Sequence, residues 1–136
     1  MAGAWCNLAS GLTAEMAAIA GFDWVLIDQE HGPGDSMTLL QQVQAIGTRP
    51  CAPITRIAWN EMPRFKQALD LGSAGIMIPY VETAEDAAQA VLQAAVYMGY
   101  PGSGLVAKAT IYQSCGYQVA TAGLIFSVEP LTEMPA

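Results

Sequence analysis

Charge is what this chain has least of. Only 12% of its 136 residues are charged, where an ordinary soluble domain carries about a quarter. Lysine and arginine total five, the acids total twelve, and the net charge is −7. So thin a cationic complement argues against a nucleic-acid partner, which needs a basic footprint. Histidine occurs once, at His31. The three cysteines, Cys6, Cys51 and Cys115, are far apart and form no CxxC. That leaves neither a zinc motif nor a disulfide framework, and fits reduced thiols in a cytoplasmic protein. The GxGxxG and Walker A fingerprints of nucleotide sites are missing, and so is the GxSxG of a serine nucleophile. Apolar runs such as AGIMIPYV (74–81) fall well short of the roughly 20 residues of a membrane span. The opening MAGAWCNLAS lacks the basic region of a signal peptide.

What the chain has in abundance is apolar residues, 53% of the total, with a mean hydropathy of +0.32. For a free-standing domain that is high. The surface is expected to be covered by partners, or the chain to be part of something larger. Its length suits a single domain with a real core. Seven methionines and three tryptophans read mostly as core filler.

Apolar runs alternate with helical patterns. GAWCNL (3–8) precedes an Ala-rich helical stretch, TAEMAAIAG (13–21), with Thr13 as cap and Gly21 as stop. WVLID (24–28) reads as a strand, and SMTLLQQVQAIG (36–47) as a helix ending at Gly47. CAPITRI (51–57) is a strand. NEMPRFKQALDLG (60–72) is a helix with Asn60 as N-cap, Pro63 in the first turn and Gly72 at the end. AGIMIPY (74–80) is a strand, and TAEDAAQAVLQAAVYM (83–98) a helix capped by Thr83. After a looser stretch with dense Gly and Pro, GLIFSVE (123–129) forms a fifth strand. The strands are continuously apolar, as parallel strands covered by helices are. The fold class is therefore α/β, either a doubly wound sheet or a (β/α)8 barrel. A barrel takes about 250 residues; this chain supplies about four and a half of its eight units.

In both architectures ligands gather at the carboxyl ends of the strands. There the second strand delivers Asp28, Glu30 and His31, the third Arg56 and the fifth Glu129. The fourth ends at Pro79, with no ionisable group before Glu82. A base, a cation for an anionic substrate and oxygen ligands for a hard metal thus converge on one rim. Plainer readings stand beside this one. A lone histidine at a strand end is often a hydrogen-bonded loop residue. Arg56 can be a structural partner of Glu30 or Asp28, and Glu129 a solvated loop acid.

GFDWVLIDQEHGPGD (21–35), PITR (53–56) and KQALDLGSAGIMIPYVETAEDA (66–87) together resemble the HpcH/HpaI aldolase family, metal-dependent class II pyruvate aldolases related to the citrate lyase β subunit. The resemblance runs from about Gly3 to Tyr97 and more weakly to Glu129. It implies a (β/α)8 TIM barrel, with residues 1–136 as its first part, that assembles into a homo-oligomer. It implies reversible cleavage of 4-hydroxy-2-oxo acids to pyruvate and an aldehyde, or of 2-dehydro-3-deoxy sugar acids of the glucarate type. By motif, His31 is similar to the family's acid/base histidine. Arg56 looks like the arginine that holds pyruvate's carboxylate and the developing enolate, and Asp70 like the aspartate that raises the histidine's basicity. Asp28 lies in the same polar cluster. Glu129 resembles the first of two carboxylate ligands of a divalent metal, Mg2+ or Mn2+ with Co2+ as a further candidate. Ser127 stands where the family carries a substrate-facing amide. Asp70 closes a helix at the end away from the rim, so it is expected to act across a subunit interface on a neighbour's His31.

The sequence also departs from the family. YMGYPGSG (97–104) puts Ser103 where an arginine is expected, and the second metal carboxylate has no counterpart up to Ala136. The expectation is a half barrel with an apolar seam: weakly folded, aggregated or dimerised edge to edge. Such a chain is read as a gene fragment, a truncated frame, half of a split protein or a non-catalytic remnant.

Overall fold

A computed structural model describes residues 1–98, 105–114 and 121–130, with side chains through residue 94 and at 96. In chain order the elements are β1 (Gly3–Cys6), α1 (Gly11–Ile19), β2 (Trp24–Asp28), α2 (Ser36–Ile46), β3 (Ala52–Arg56), α3 (Met62–Asp70), β4 (Gly75–Ile78), α4 (Ala84–Met98), β5 (Leu105–Ser114) and β6 (Thr121–Pro130). Strands β1 to β4 are parallel and lie side by side in the order of the chain. That order lacks the reversal a doubly wound sheet requires. With right-handed crossovers and steady progress in one direction, the helices come to lie on one face of the sheet.

Packing follows from the two-residue period of the strands. Val25 and Ile27 of β2 pack with Ala14 and Ala18 of α1 and with Leu39, Val43 and Ile46 of α2. Ile76 and Ile78 of β4 do the same with Phe65 and Ala68 of α3 and Ala90 and Ala94 of α4. The intervening residues form the other face. Register sets Leu26 beside Ile54, Asp28 beside Arg56, and Arg56 beside Met77. Within β1 to β4, charge therefore appears only where that second face reaches the carboxyl edge.

Helix ends refine the sequence reading. Ser10, not Thr13, is the N-cap of α1; the Thr13 hydroxyl donates to the Ser10 carbonyl at 2.9 Å. Gly21 follows at φ 90°, the left-handed conformation that stops a helix cheaply only with glycine. Asp35 and Thr38 close a reciprocal capping box on α2. Glu61, not Asn60, occupies the N-cap of α3. Asn60 instead donates to the Asp86 carbonyl and accepts from Gln93, clamping the β3–α3 loop to α4. Among the described residues no helix is long and apolar enough to cross a membrane.

GLIFSVE departs most from expectation. It lies within β6, which runs antiparallel to β4, and β5 occupies the stretch read as looser. β5 and β6 pair antiparallel along ten residues each. An antiparallel ladder needs no crossover helix, whereas a parallel one does. The sheet order is thus β1-β2-β3-β4-β6-β5.

Candidate active site

The site grows from the last residue of β2. Asp28 is buried, yet six hydrogen bonds converge on its carboxylate. Arg56 Nε reaches Oδ1 at 2.9 Å and Nη2 reaches Oδ2 at 2.6 Å, the planar fork-to-fork arrangement that guanidinium favours. Asn7 Nδ2 at 2.9 Å and Trp5 Nε1 at 3.4 Å donate to Oδ2 from the end of β1. The backbone N–H groups of Glu30 and His31 donate to Oδ1 at 3.0 and 3.2 Å. Burial pushes the Asp28 carboxyl up, but the Arg56 hydrogen bond and the two backbone donors outweigh it, and the group is held below its ordinary range.

Those two backbone bonds bend the chain sharply after β2. Gly32 completes the bend, because a Cβ there would overlap the Asp28 carbonyl oxygen. The bend turns His31 outward, where its side chain is 65% exposed. Glu30 turns inward, 8% exposed, and stands between the two cations of the site. Its Oε1 lies 3.7 Å from His31 Nε2. Its Oε2 lies 2.8 Å from Arg56 Nη1, a charge contact without the alignment of a hydrogen bond.

Arg56 is 17% exposed and roofed by the Trp5 ring, whose centroid lies 4.8 Å from its Cζ. Two of its five N–H groups are committed to Asp28, and of the remaining three one faces Glu30 without hydrogen-bond alignment, so this is the side open to an incoming anion. The rim thus holds a shielded guanidinium, an accessible imidazole and a carboxylate between them. Such a set can bind a carboxylate and move a proton beside it.

The structure brings together Asp28, Arg56 and His31 among the residues singled out from the sequence. It does not bring the others there. Asp70 ends α3, exposed, at the opposite edge of the sheet from His31. Ser127 lies opposite Gly75, the first residue of β4, and Glu129 two residues further from the rim. Their side chains lie outside the described residues. The expectation that Glu129 joins the rim presumed a parallel strand; the antiparallel direction of β6 carries it to the other edge. Ser103 falls outside the described residues. Among the described residues no three His, Cys, Asp or Glu side chains cluster as metal ligands would. Trp5, Asn7 and the bridging role of Glu30 were not apparent from sequence. Position points to the first two, since the carboxyl end of β1 belongs to the same rim.

A parallel α/β sheet with an arginine, a histidine and two acids on its carboxyl edge is the architecture of a strand-end catalytic site. The profile of the HpcH/HpaI aldolase/citrate lyase family matches residues 1–130, and this chain belongs to that family. It is 46% identical over 89 residues to a 4-hydroxy-2-oxo-heptane-1,7-dioate aldolase of Salmonella dublin, a match covering 65% of this chain and 34% of that one. It is 48% identical over 89 residues to a hydroxypyruvate/pyruvate aldolase of Chromohalobacter salexigens, covering 65% and 35%. The matched stretch thus spans about a third of these relatives. A crystal structure of a family protein from Burkholderia cenocepacia J2315 superposes with a TM-score of 0.65 at 41% identity, over 68% of this chain and 37% of that one.

Proposed function

We propose that this chain carries the pyruvate-handling part of an aldolase that reversibly cleaves 4-hydroxy-2-oxo acids. The observation that supports it best is the shielded Arg56 fork one strand from the loop of His31. The names of the two curated relatives point the same way. The parallel β1–β4 succession suits the first part of a (β/α)8 barrel.

In the cleavage direction His31 takes the proton of the substrate's 4-hydroxyl. The C3–C4 bond breaks, the aldehyde leaves, and its electron pair passes into the enolate of pyruvate. Arg56 lies against the carboxylate and enolate oxygen with the N–H groups that Asp28 does not hold, on the side that Glu30 covers when no substrate is bound. His31 then returns the proton to C3. Asp28 holds Arg56 and the His31 loop in place. Asp70 is assigned to a neighbouring subunit's His31 in a homo-oligomer, since its own lies at the other edge.

Among the described residues no three ligating side chains gather, and the Glu129 side chain lies outside them, so no step is routed through a metal. The divalent ion, Mg2+ or Mn2+, with Glu129 as ligand and Ser127 facing substrate, rests on the family resemblance alone. A 2-dehydro-3-deoxy sugar acid is the alternative substrate class, sharing the same pyruvate half.

Exchange of pyruvate methyl protons with deuterated water, followed by NMR with Mg2+ and again with EDTA, tests this reading. His31→Ala and Arg56→Ala should each slow exchange by about 100-fold or more. Mixing His31→Ala with Asp70→Ala chains should restore part of it if the pair works across subunits. A parent chain that neither binds pyruvate nor exchanges its protons would leave the remnant reading in its place.

A further inference from the structure

Arg56 has two carboxylate partners, and they are held very differently. Asp28 is anchored by both teeth of the fork, by two backbone N–H groups and by two side chains from the end of β1. Glu30 touches Arg56 through one oxygen, at 2.8 Å and without hydrogen-bond alignment. An incoming carboxylate competes for the face of Arg56 that Glu30 covers, because displacing Asp28 would unmake the loop as well. The exchange is like for like, one carboxylate for another, so the guanidinium stays neutralised.

The displaced Glu30 cannot simply drift into water. Its side chain is 8% exposed, and an unpaired carboxylate at such a site is costly. A cationic partner stands close by: His31 Nε2 is already 3.7 Å from Oε1, just beyond hydrogen-bond range. A small rotation of the Glu30 side chain closes that gap.

We infer that Glu30 is a positioning residue that passes from Arg56 to His31 when an anionic 2-oxo acid arrives. The imidazole then gains the Glu30 carboxylate at Nε2 while substrate occupies the arginine. Base and anion site become coupled through one side chain, which keeps His31 loosely held when there is nothing to deprotonate. The inference rests on the proposed pyruvate site.

Glu30→Gln separates the two contacts by their opposite signs. The neutral amide no longer competes for Arg56 by charge, so pyruvate should bind about threefold tighter or more. It also cannot pair with an imidazolium, so methyl-proton exchange at saturating pyruvate should fall by about tenfold. A merely structural role would weaken binding and turnover together. Glu30→Asp, which keeps the charge but is too short to span both partners, should show the same fall in exchange. Glu61→Gln, which removes only the exposed pair with Arg64, should match the parent on both counts. Weaker pyruvate binding in Glu30→Gln, or undiminished exchange in either Glu30 variant, would overturn the exchange mechanism while leaving the aldolase reading intact. A parent chain that does not bind pyruvate would overturn both.

Discussion

Asp28 shows how much one residue can organise when its acceptor capacity is fully used. Replacing it with Asn removes the charge that balances a guanidinium only 17% exposed. Breaking a buried pair from one side typically costs about 3–5 kcal/mol, so Asp28→Asn should lower the urea midpoint by a corresponding amount. The pH dependence has a definite sign. A carboxyl held below its ordinary range stabilises the fold above the unfolded value of about 3.9 and loses that contribution as pH falls through the folded one. Unfolding followed from pH 7 down to pH 3 should therefore show a steeper acid limb in the parent than in Asp28→Asn. The sequence displayed Asp28, His31 and Arg56 because charge is scarce and strand ends are easy to place. It did not display which acid would be the anchor and which the bridge. Asp28 and Glu30 differ by two positions and one methylene, and only the bend at Gly32 decides their environments.

At the scale of elements, that bend is the most constrained piece of the site. Gly32→Ala places a methyl group against the Asp28 carbonyl, and relieving the overlap means moving the loop. A cost of about 1–3 kcal/mol is expected, together with slower pyruvate exchange as His31 shifts. Denaturant titration and the exchange assay read the two effects separately. The parallel βα succession was legible because long apolar runs bounded by glycine and capping residues carry their own punctuation. The direction of GLIFSVE was not. A two-residue period encodes which face a side chain takes, never which way the strand runs, and the extended partner that turns it antiparallel sits in a stretch with no clear strand pattern. That direction sets the backbone of Glu129 beyond the Gly75 end of β4.

At the scale of the molecule, the excess of apolar residues has an address. Leu12, Met16 and Ile19 are exposed at helical spacing along α1, opposite Ala14 and Ala18, which face the core. The proposed homo-oligomer has a face to use here. Leu12→Glu with Met16→Glu should weaken self-association about tenfold or more in sedimentation experiments, given about 1.5–3 kcal/mol for each such side chain buried, without changing the circular dichroism. Beside that helix, β1 is the outer strand of the sheet among the described residues, and Trp5 and Asn7 stand on it and just past its end. The roof over the guanidinium and two of the six donors to its anchor therefore hang from the sheet's outermost strand, where fraying begins. Whatever pairs with the outer side of β1 also holds that roof shut. Docking at the edge and capture of an anion at Arg56 then become linked equilibria, each strengthening the other by the same factor.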